Sequence, residues 1–297
     1  MTARGAAPPP MLFFEEFHPS GASAFDGEHD QIVGRAAVER GYLTGFDNVA
    51  GKPSLFHVRS DNFREDLFAQ TSESTARHRT VVCGLSLALF GHPLATLPEL
   101  ASDLRLTKRT LYLTERNTPL FDHLHAQLPP ELFTFSEYFG DAHRPGAFVD
   151  GVRHEDLMQT SFHDAEFDIV ITSEVLEHVP DATRAEREIV RILKPGGTYL
   201  FTVPLDPLGA EDTILAERLG DGSIQFHGEP VYHGDPYRPE GILAYRIFSI
   251  RGMERRFGAL GCTLQTYRFW SKRYGILGGD SWIHLVRKPA EVGRAAG

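Results

Sequence analysis

The sequence has few cysteines and no long apolar run. Only Cys83 and Cys262 occur among 297 residues, too few for a disulfide framework or a four-thiolate zinc site. No stretch approaches the roughly 18 consecutive apolar residues of a membrane span. The N-terminal MTARGAAPPP has no apolar core of the kind a signal peptide needs. These absences predict a cytoplasmic protein with no membrane partner.

An excess of basic residues is also missing. The chain has 30 Lys and Arg against 40 Asp and Glu, a net charge of −10 at pH 7. This balance repels phosphate backbones, so we expect no nucleic-acid partner. Hydrophobic residues at 41% and charged residues at 24% are typical of a globular protein, and the length suffices for a sizeable core.

Several motifs of nucleotide and hydrolase chemistry are absent as well. No G-x-G-x-x-G follows the first predicted strand, which weighs against NAD and FAD. No complete G-x-S-x-G occurs, so the sequence predicts no hydrolase nucleophile.

The organisation along the chain predicts a small module followed by an α/β domain. Residues 1–10 resemble a disordered tail, and 11–107 form an irregular N-terminal module with helices at 76–91 and 97–105. From 108 to 290, strands alternate with helices, which predicts a Rossmann-like, doubly wound, seven-stranded mixed sheet with an antiparallel last strand. The expected strands are 110–114, 132–137, 151–154, 167–172, 198–203, 263–270 and 282–287, and the expected helices are 119–128, 182–193 and 249–260.

Polar side chains follow the first four strands of this sheet. Ligands of open α/β sheets bind beyond the carboxyl ends of the strands. An acid after the second strand suits two ribose hydroxyls, and an acid after the third suits an adenine amino group. Because no phosphate-binding glycines accompany them, we expect a nucleoside without phosphate. The candidate cofactor-binding residues are Glu115, Asn117, Glu137, Tyr138, Asp156, Leu157, Ser173 and Glu174.

Residues 167–204 carry four motifs in order, an FDIV strand, a VLEHV turn, an EIVRIL helix and an LKPGG turn. As a set they resemble the later motifs of class I S-adenosylmethionine-dependent methyltransferases with a type 11 methyltransferase domain. The resemblance implies S-adenosylmethionine as cofactor, with Glu137 on the ribose, Asp156 and Leu157 on the adenine, and Glu115 at the methionine end. The sequence departs from the family at its first motif, where no glycine follows Glu115.

The N-terminal module has a second resemblance. NFREDLFAQTSESTARHR is similar to the R-E-x-L-x-C-x-x-C segment that precedes some of these domains and binds zinc there. Ala69 and Ser72 stand at the cysteine positions, and an upstream pair would fall at Leu43 and Phe46. The resemblance implies a degenerate zinc-binding module in which apolar packing replaces the metal.

Candidate catalytic residues lie after the fourth strand and in a long connection at 205–245, which we expect to be a lid. His178, His227 and His233 are the candidate bases, since histidine accepts protons near neutral pH. The alternatives to a catalytic role are purely structural: a turn at His178, and an ordered loop around HGEPVYHGDPY. The ligand types at His227, His233 and Asp235 would suit a metal, but we predict none. The candidate substrate-binding residues are Tyr232, Asp235 and Tyr237.

Two further charge features are open to interpretation. Residues 184–191 alternate in sign, which is typical of a solvated helix face. Arg251, Arg255 and Arg256 belong either to the surface or to an anionic substrate site.

The sequence therefore predicts an S-adenosylmethionine-dependent methyltransferase for a small-molecule acceptor. The favoured reaction is O-methylation in secondary or sugar metabolism, and a homodimer is the candidate assembly. The alternatives are a catalytically inactive methyltransferase-like binding or scaffold protein, and a cofactor-binding enzyme that performs other chemistry.

Overall fold

The computed structural model describes residues 11–13, 27–234 and 238–290. The helices are α1 (Gly27–Arg40), α2 (Ala76–Phe90), α3 (Leu97–Thr107), α4 (Pro119–Gln127), α5 (Ala182–Ile192) and α6 (Ile250–Ala259). The strands up to residue 202 are β1 (Met11–Phe13), β2 (Tyr42–Asp47), β3 (Lys52–His57), β4 (Phe68–Ala69), β5 (Leu111–Leu113), β6 (Phe133–Phe135), β7 (Phe148–Val149), β8 (Val152–Arg153), β9 (Phe167–Ser173) and β10 (Leu193–Thr202). The later strands are β11 (Leu205–Asp206), β12 (Thr213–Ile214), β13 (Ala216–Arg218), β14 (Ile224–Phe226), β15 (Tyr232–His233), β16 (Ile242–Leu243), β17 (Arg246–Ser249), β18 (Thr263–Trp270) and β19 (Trp282–Arg287).

The chain divides into two compact units. The first contains Met1–Leu100 and Gln265–His284, and the second contains Ala101–Leu264 and Leu285–Gly297. In the described part of the chain, no helix is long and apolar enough to cross a membrane.

The second unit is built on parallel strands in the order β10-β9-β5-β6. Val170 of β9 stands between Tyr199 of β10 and Tyr112 of β5, and all three are fully buried. Strands that are buried on both faces have continuous apolar runs. This explains why the runs FDIVIT and TYLFTV correctly predict the positions of β9 and β10.

Local capping explains where the helices of this unit begin. The Thr118 side chain accepts a hydrogen bond from the amide of Phe121 at 3.2 Å, and Pro119 occupies the first position of α4. Ser249 caps α6 in the same way, through the amide of Gly252 at 3.0 Å. Small polar side chains at these positions satisfy amides that have no partner inside the helix.

The last strand runs antiparallel to its neighbours. In the second unit, the amide of Lys288 donates to the carbonyl of Gly197, and the Arg287 side chain donates to Thr198. In the first unit, the amide of Phe269 donates to Ser281, and Thr266 bonds to His284. In both cases the partner number falls as the residue number rises, so the strand arrangement is mixed, as the sequence predicts.

The third predicted strand, 151–154, is not part of the parallel sheet. Residues 152–153 form β8, which pairs antiparallel with β7. Asp150 and Gly151 both have positive φ, at 47° and 77°, the backbone geometry of a tight two-residue hairpin turn. Only one parallel bridge, between Glu137 and His154, joins this segment to β6. The other six predicted strands correspond to β5, β6, β9, β10, β18 and β19.

The first unit contains more regular structure than the sequence predicts. Helix α1 precedes an antiparallel sheet in the order β2-β3-β4, in which Phe56 pairs with Leu43 on one side and Ala69 on the other. Leu43 and Ala69 are buried in one apolar cluster with Phe56 and Trp270. Two of the positions that the resemblance matches to cysteines thus pack around an aromatic ring. Backbone pairing also joins Met11–Phe13 to β18 in parallel.

Candidate active site

A cavity of about 370 Å³ lies at the carboxyl ends of β5, β6 and β9. One wall consists of Tyr112, Thr114, Ser136 and Glu137, which lie in or directly after β5 and β6. All lining residues belong to the second unit. The volume falls within the range of about 300–1,000 Å³ that is typical of small-molecule sites.

Glu137 is held firmly on the cavity wall. Its Oε1 accepts a hydrogen bond from the amide of Arg116 at 2.6 Å. Its backbone amide donates to Arg153, and its carbonyl accepts from the amide of Glu155. The turns after β5 and β8 therefore orient the acid that follows β6.

Asp156 and Leu157 lie beside Glu137 on the same cavity. The Oδ1 atom of Asp156 accepts a hydrogen bond from the amide of Met158 at 2.8 Å, which closes a tight turn. Leu157 is buried and supplies an apolar surface. The structure thus brings together the acids that the sequence places after the second and third predicted strands.

Tyr138 and Asp141 form a charged edge of the cavity. The Tyr138 hydroxyl donates to Asp141, and Arg218 forms an ion pair with Asp141 at 2.5 Å. The hydrogen bond from Arg218, followed by that from Tyr138, lowers the pKa of Asp141. Burial, followed by the nearby Asp141, raises the pKa of Tyr138. Asp141 is therefore ionised and Tyr138 neutral at physiological pH.

Four predicted cofactor residues are not among the lining residues of this cavity in the described part of the chain. The Glu115 carboxylate accepts a hydrogen bond from Thr118 at 3.1 Å, at the start of α4. The hydroxyl oxygen of Ser173 lies 3.2 Å from the hydroxyl oxygen of Thr202. The other two are Asn117 and Glu174.

Asn117 and Glu174 have a left-handed backbone, with φ of 59° and 54°. Such a conformation is uncommon for residues other than glycine, and strained positions concentrate at functional sites. Asn117 lies in the turn after β5, the position of the first motif. This turn adopts a conformation that favours glycine although it contains no glycine.

Two histidines that are 55 positions apart meet beside the cavity. His178 lies in a one-turn 3-10 helix, Leu176–His178, that follows β9. Its Nε2 atom lies 3.2 Å from Nδ1 of His233 on β15. The Nδ1 atom of His178 lies 2.8 Å from the carbonyl oxygen of Leu243. Because a carbonyl only accepts, this Nδ1 carries the proton. The sequence names both histidines as candidates but not their contact.

Glu177 completes the cluster, a role that the sequence does not predict. Its side chain is fully buried, and its Oε1 lies 3.7 Å from both Nε2 of His178 and Nδ1 of His233. The dipeptide Glu177-His178 was visible in the sequence, but nothing in it indicated which distant residue would join.

His227 lies away from this cluster. It follows β14, and its Nε2 is 2.8 Å from Glu217 on the exposed hairpin of β13 and β14. Tyr232 is exposed and is not among the cavity-lining residues described. Asp235 and Tyr237 lie outside the described residues.

The connection 205–245 covers a large part of the cavity. Among its described residues, Arg218 and Arg238 are the charged ones that line the cavity, and Arg238 donates to the carbonyl of Tyr138 at 2.8 Å. Neither arginine could be predicted from the sequence, because arginine is common in polar loops and no spacing marks these two. The other lining residues from this connection are Gly222, Ile224, Ile242, Leu243 and Tyr245.

The chain is similar to known methyltransferases over part of its length. Residues 135–201 match a family model described as a methyltransferase domain. An uncharacterized methyltransferase of Mycobacterium sp. (strain KMS) is 41% identical over 110 residues, which cover 36% of this chain and 42% of that protein. One from Mycobacterium tuberculosis (strain ATCC 25618 / H37Rv) is 35% identical over 94 residues, covering 29% and 35%. The chain thus spans less than half the length of these relatives.

Solved structures also resemble the chain. The 1,6-didemethyltoxoflavin-N1-methyltransferase of Burkholderia thailandensis is 15% identical with a TM-score of 0.37, covering 65% of this chain and 78% of that one. An S-adenosylmethionine-dependent methyltransferase of Mesorhizobium loti is 12% identical with a TM-score of 0.36, covering 64% and 98%. The family match includes Glu137, Asp156 and Glu177-His178. It confirms the resemblance to class I methyltransferases that the motifs indicate.

Proposed function

We propose that this chain, which carries a class I methyltransferase domain, is an S-adenosylmethionine-dependent methyltransferase for a small-molecule acceptor. One observation carries the proposal. Glu137 and Asp156 lie on a single cavity at the carboxyl edge of the parallel strands, where open α/β sheets bind nucleosides. The inactive-scaffold alternative is not favoured, because both acids are present on this cavity.

The cavity residues fit the nucleoside part of the cofactor. A carboxylate has about four acceptor positions, of which the Arg116 amide takes one on Glu137. Leu157 and Met158 offer apolar surface beside Asp156, which suits a flat adenine ring. When bound, S-adenosylmethionine supplies a methyl group on a positively charged sulfur. The protein therefore needs no nucleophile of its own and has to align the acceptor.

Oxygen is the proposed acceptor atom. A hydroxyl acceptor must lose its proton while its oxygen bonds to the methyl carbon and the carbon–sulfur bond breaks. The cluster of Glu177, His178 and His233 stands beside the cavity, and it is the proposed place where that proton is handled. Secondary or sugar metabolism is the proposed context, supported by family analogy alone.

Calorimetric titration with S-adenosylmethionine and S-adenosylhomocysteine tests the cofactor site. We expect saturable binding of both ligands and at least about tenfold weaker binding by Asp156→Ala, since a lost hydrogen bond of about 1.4 kcal/mol has this effect. Glu131→Ala is the matched control, because Glu131 precedes β6 and so lies at the opposite edge of the strands. Its affinity should equal that of the wild type. Absence of binding of either ligand to the wild type contradicts the proposal.

A further inference from the structure

Three metal-ligating atoms converge beside the cavity. Nε2 of His178, Nδ1 of His233 and Oε1 of Glu177 lie 3.2, 3.7 and 3.7 Å from one another. We propose that these three residues bind a divalent transition-metal ion of the zinc and cobalt class, although the sequence predicted no metal. Two imidazoles and one carboxylate are a donor set that such ions accept.

The spacing of the three atoms suits a metal centre. A point equidistant from them in their plane lies about 2.1 Å from each, whereas zinc binds imidazole nitrogen at about 2.0–2.1 Å and carboxylate oxygen at about 2.0–2.2 Å. The three ligand atoms therefore need little movement to coordinate an ion, and binding displaces the proton that Nδ1 of His233 donates to Nε2 of His178.

The protonation of His178 is correct for coordination. Its Nδ1 donates to the carbonyl of Leu243 at 2.8 Å, so in the neutral ring Nε2 has no proton and its lone pair is directed towards the cluster. Metal-binding histidines usually donate their other ring N–H to a carbonyl or carboxylate, which fixes the ring and raises the basicity of the ligand nitrogen.

Backbone hydrogen bonds fix the position of the β15–β16 hairpin, which carries His233, relative to the turn that carries Glu177 and His178. The amide of Tyr245 donates to the carbonyl of Glu177 at 2.7 Å, and His233 pairs with Ile242 across the β15–β16 hairpin. The segment that directly follows the returning strand β16 is thus hydrogen-bonded to the turn that carries the other two ligands. Preorganisation of this kind lowers the entropy lost on binding.

Burial and access also fit a catalytic type of metal site. The Glu177 side chain is fully buried, and buried carboxylates in proteins are paired or coordinate metals. The His233 side chain is 35% exposed, so one side of the cluster is open. Catalytic zinc sites likewise have three protein ligands and one open position.

The consequence for chemistry rests on the proposed function. A hydroxyl of the acceptor that occupied the open position would lose its proton to solvent more easily, because the metal stabilises the alkoxide. The oxygen would then take the methyl group as the carbon–sulfur bond breaks. The two histidines would act as ligands, and neither would itself be the general base.

Metal titration of the full chain tests the site. Protein stripped with a chelator is titrated with Zn²⁺ by calorimetry and with Co²⁺ by visible absorption, whose bands report nitrogen and oxygen ligation. We expect one ion per chain, and at least a tenfold loss of affinity in His233→Ala and Glu177→Gln. His227→Ala is the matched control, since this histidine lies in the same connection, 205–245, and bonds to Glu217. Its metal affinity should be unchanged.

The outcomes separate the metal from the cofactor. His233→Ala is the decisive variant, because the His233 side chain is partly exposed and its removal disturbs the fold less than a change at the buried Glu177. The circular dichroism of this variant should match that of the wild type. Absence of stoichiometric binding, or equal affinity in wild type and His233→Ala, overturns the proposal and leaves a hydrogen bond between the two rings. Titration of the stripped protein with S-adenosylhomocysteine is independent. If it binds without a metal site, only the metal proposal fails.

Discussion

The guanidinium of Arg256 lies against both carboxylate oxygens of Glu186, with its Nε 3.0 Å from Oε1 and 2.8 Å from Oε2. Glu186 lies on α5 and Arg256 on α6, and the Glu186 side chain is 1% exposed. Asp212 adds a contact of 2.9 Å to the same guanidinium. The alternating charges at 184–191 predicted a solvated face, which is wrong at Glu186.

We expect Arg256→Ala to lower the free energy of unfolding by about 3–5 kcal/mol, because it leaves the Glu186 charge buried without its cation. Urea unfolding measures this loss. Arg255→Ala is the neighbouring control. Arg255 pairs with the exposed Glu211, and exposed pairs contribute only about 0–1 kcal/mol. Similar losses in the two variants would contradict a buried, energetically important pair.

S-adenosylhomocysteine should stabilise the chain against unfolding. At a free concentration of 100 times Kd, a ligand that binds only the folded state adds about 2.7 kcal/mol. If Asp156→Ala raises Kd tenfold, the same concentration adds about 1.4 kcal/mol. Denaturant unfolding with and without ligand measures both values. An equal gain in the variant would show that Asp156 does not contact the ligand.

We expect the free energy of unfolding to decrease as the pH drops below about 6.5, and part of this decrease to depend on His78. Burial, followed by Arg77 and Arg79, lowers the pKa of His78 well below its usual value. Its Nδ1 accepts the amide of Thr75 at 3.1 Å, so protonation would also break this contact at the start of α2. Unfolded His78 takes up a proton that the folded form excludes, and the free energy of unfolding therefore drops by about 1.4 kcal/mol per pH unit below pH 6.5.

Unfolding at pH 7.5, 6.5 and 5.5 measures this dependence. In His78→Gln the new side chain can still accept a hydrogen bond from the Thr75 amide. This variant should lose the contribution of His78 to the dependence of the unfolding free energy on pH. His57→Gln is the control, since His57 is exposed. An unchanged slope in His78→Gln would assign the pH dependence to other groups.

The hairpin that carries His233 depends on Gly241. This glycine has φ of +81°, and an added Cβ would lie 2.4 Å from the carbonyl oxygen of His233. Gly241→Ala should therefore displace His233 and lower the proposed Co²⁺ affinity at least tenfold. Gly228→Ala is the matched control, because its Cβ would meet open space. Wild-type affinity in Gly241→Ala, measured by the cobalt absorption bands, would contradict this dependence.

Local signals were sufficient for most elements of the second unit. Thr118 and Pro119 mark the start of α4 because the capping chemistry is contained in a few neighbouring residues. The apolar runs of β9 and β10 predict buried parallel strands for the same reason. The third predicted strand shows the limit, since two consecutive left-handed residues, Asp150 and Gly151, place residues 152–153 in a hairpin with β7 and not in the parallel sheet.

The composition of the site could be predicted only in part. Glu137 follows from its position after β6, because the carboxyl edge of a sheet is a general binding place. Asp156 follows β8, which belongs to a hairpin outside the parallel strands. The contact between His178 and His233 depends on the path of the β15–β16 hairpin. No local pattern encodes such a long-range path, so the metal-ligating cluster was invisible in the sequence.

The guanidinium of Arg79, fully buried in the first unit, donates to the carbonyls of Leu67 and Ser74 and also to those of Tyr274 and Gly275. The latter two acceptors are almost 200 positions downstream. During synthesis, the N-terminal hundred residues emerge from the ribosome long before half of these acceptors exist. The first unit must therefore wait for the whole intervening unit to be translated before its central cation is satisfied. A nascent chain that ends before residue 274 lacks two of the four backbone carbonyls that bind Arg79, so water has to solvate this guanidinium in their place.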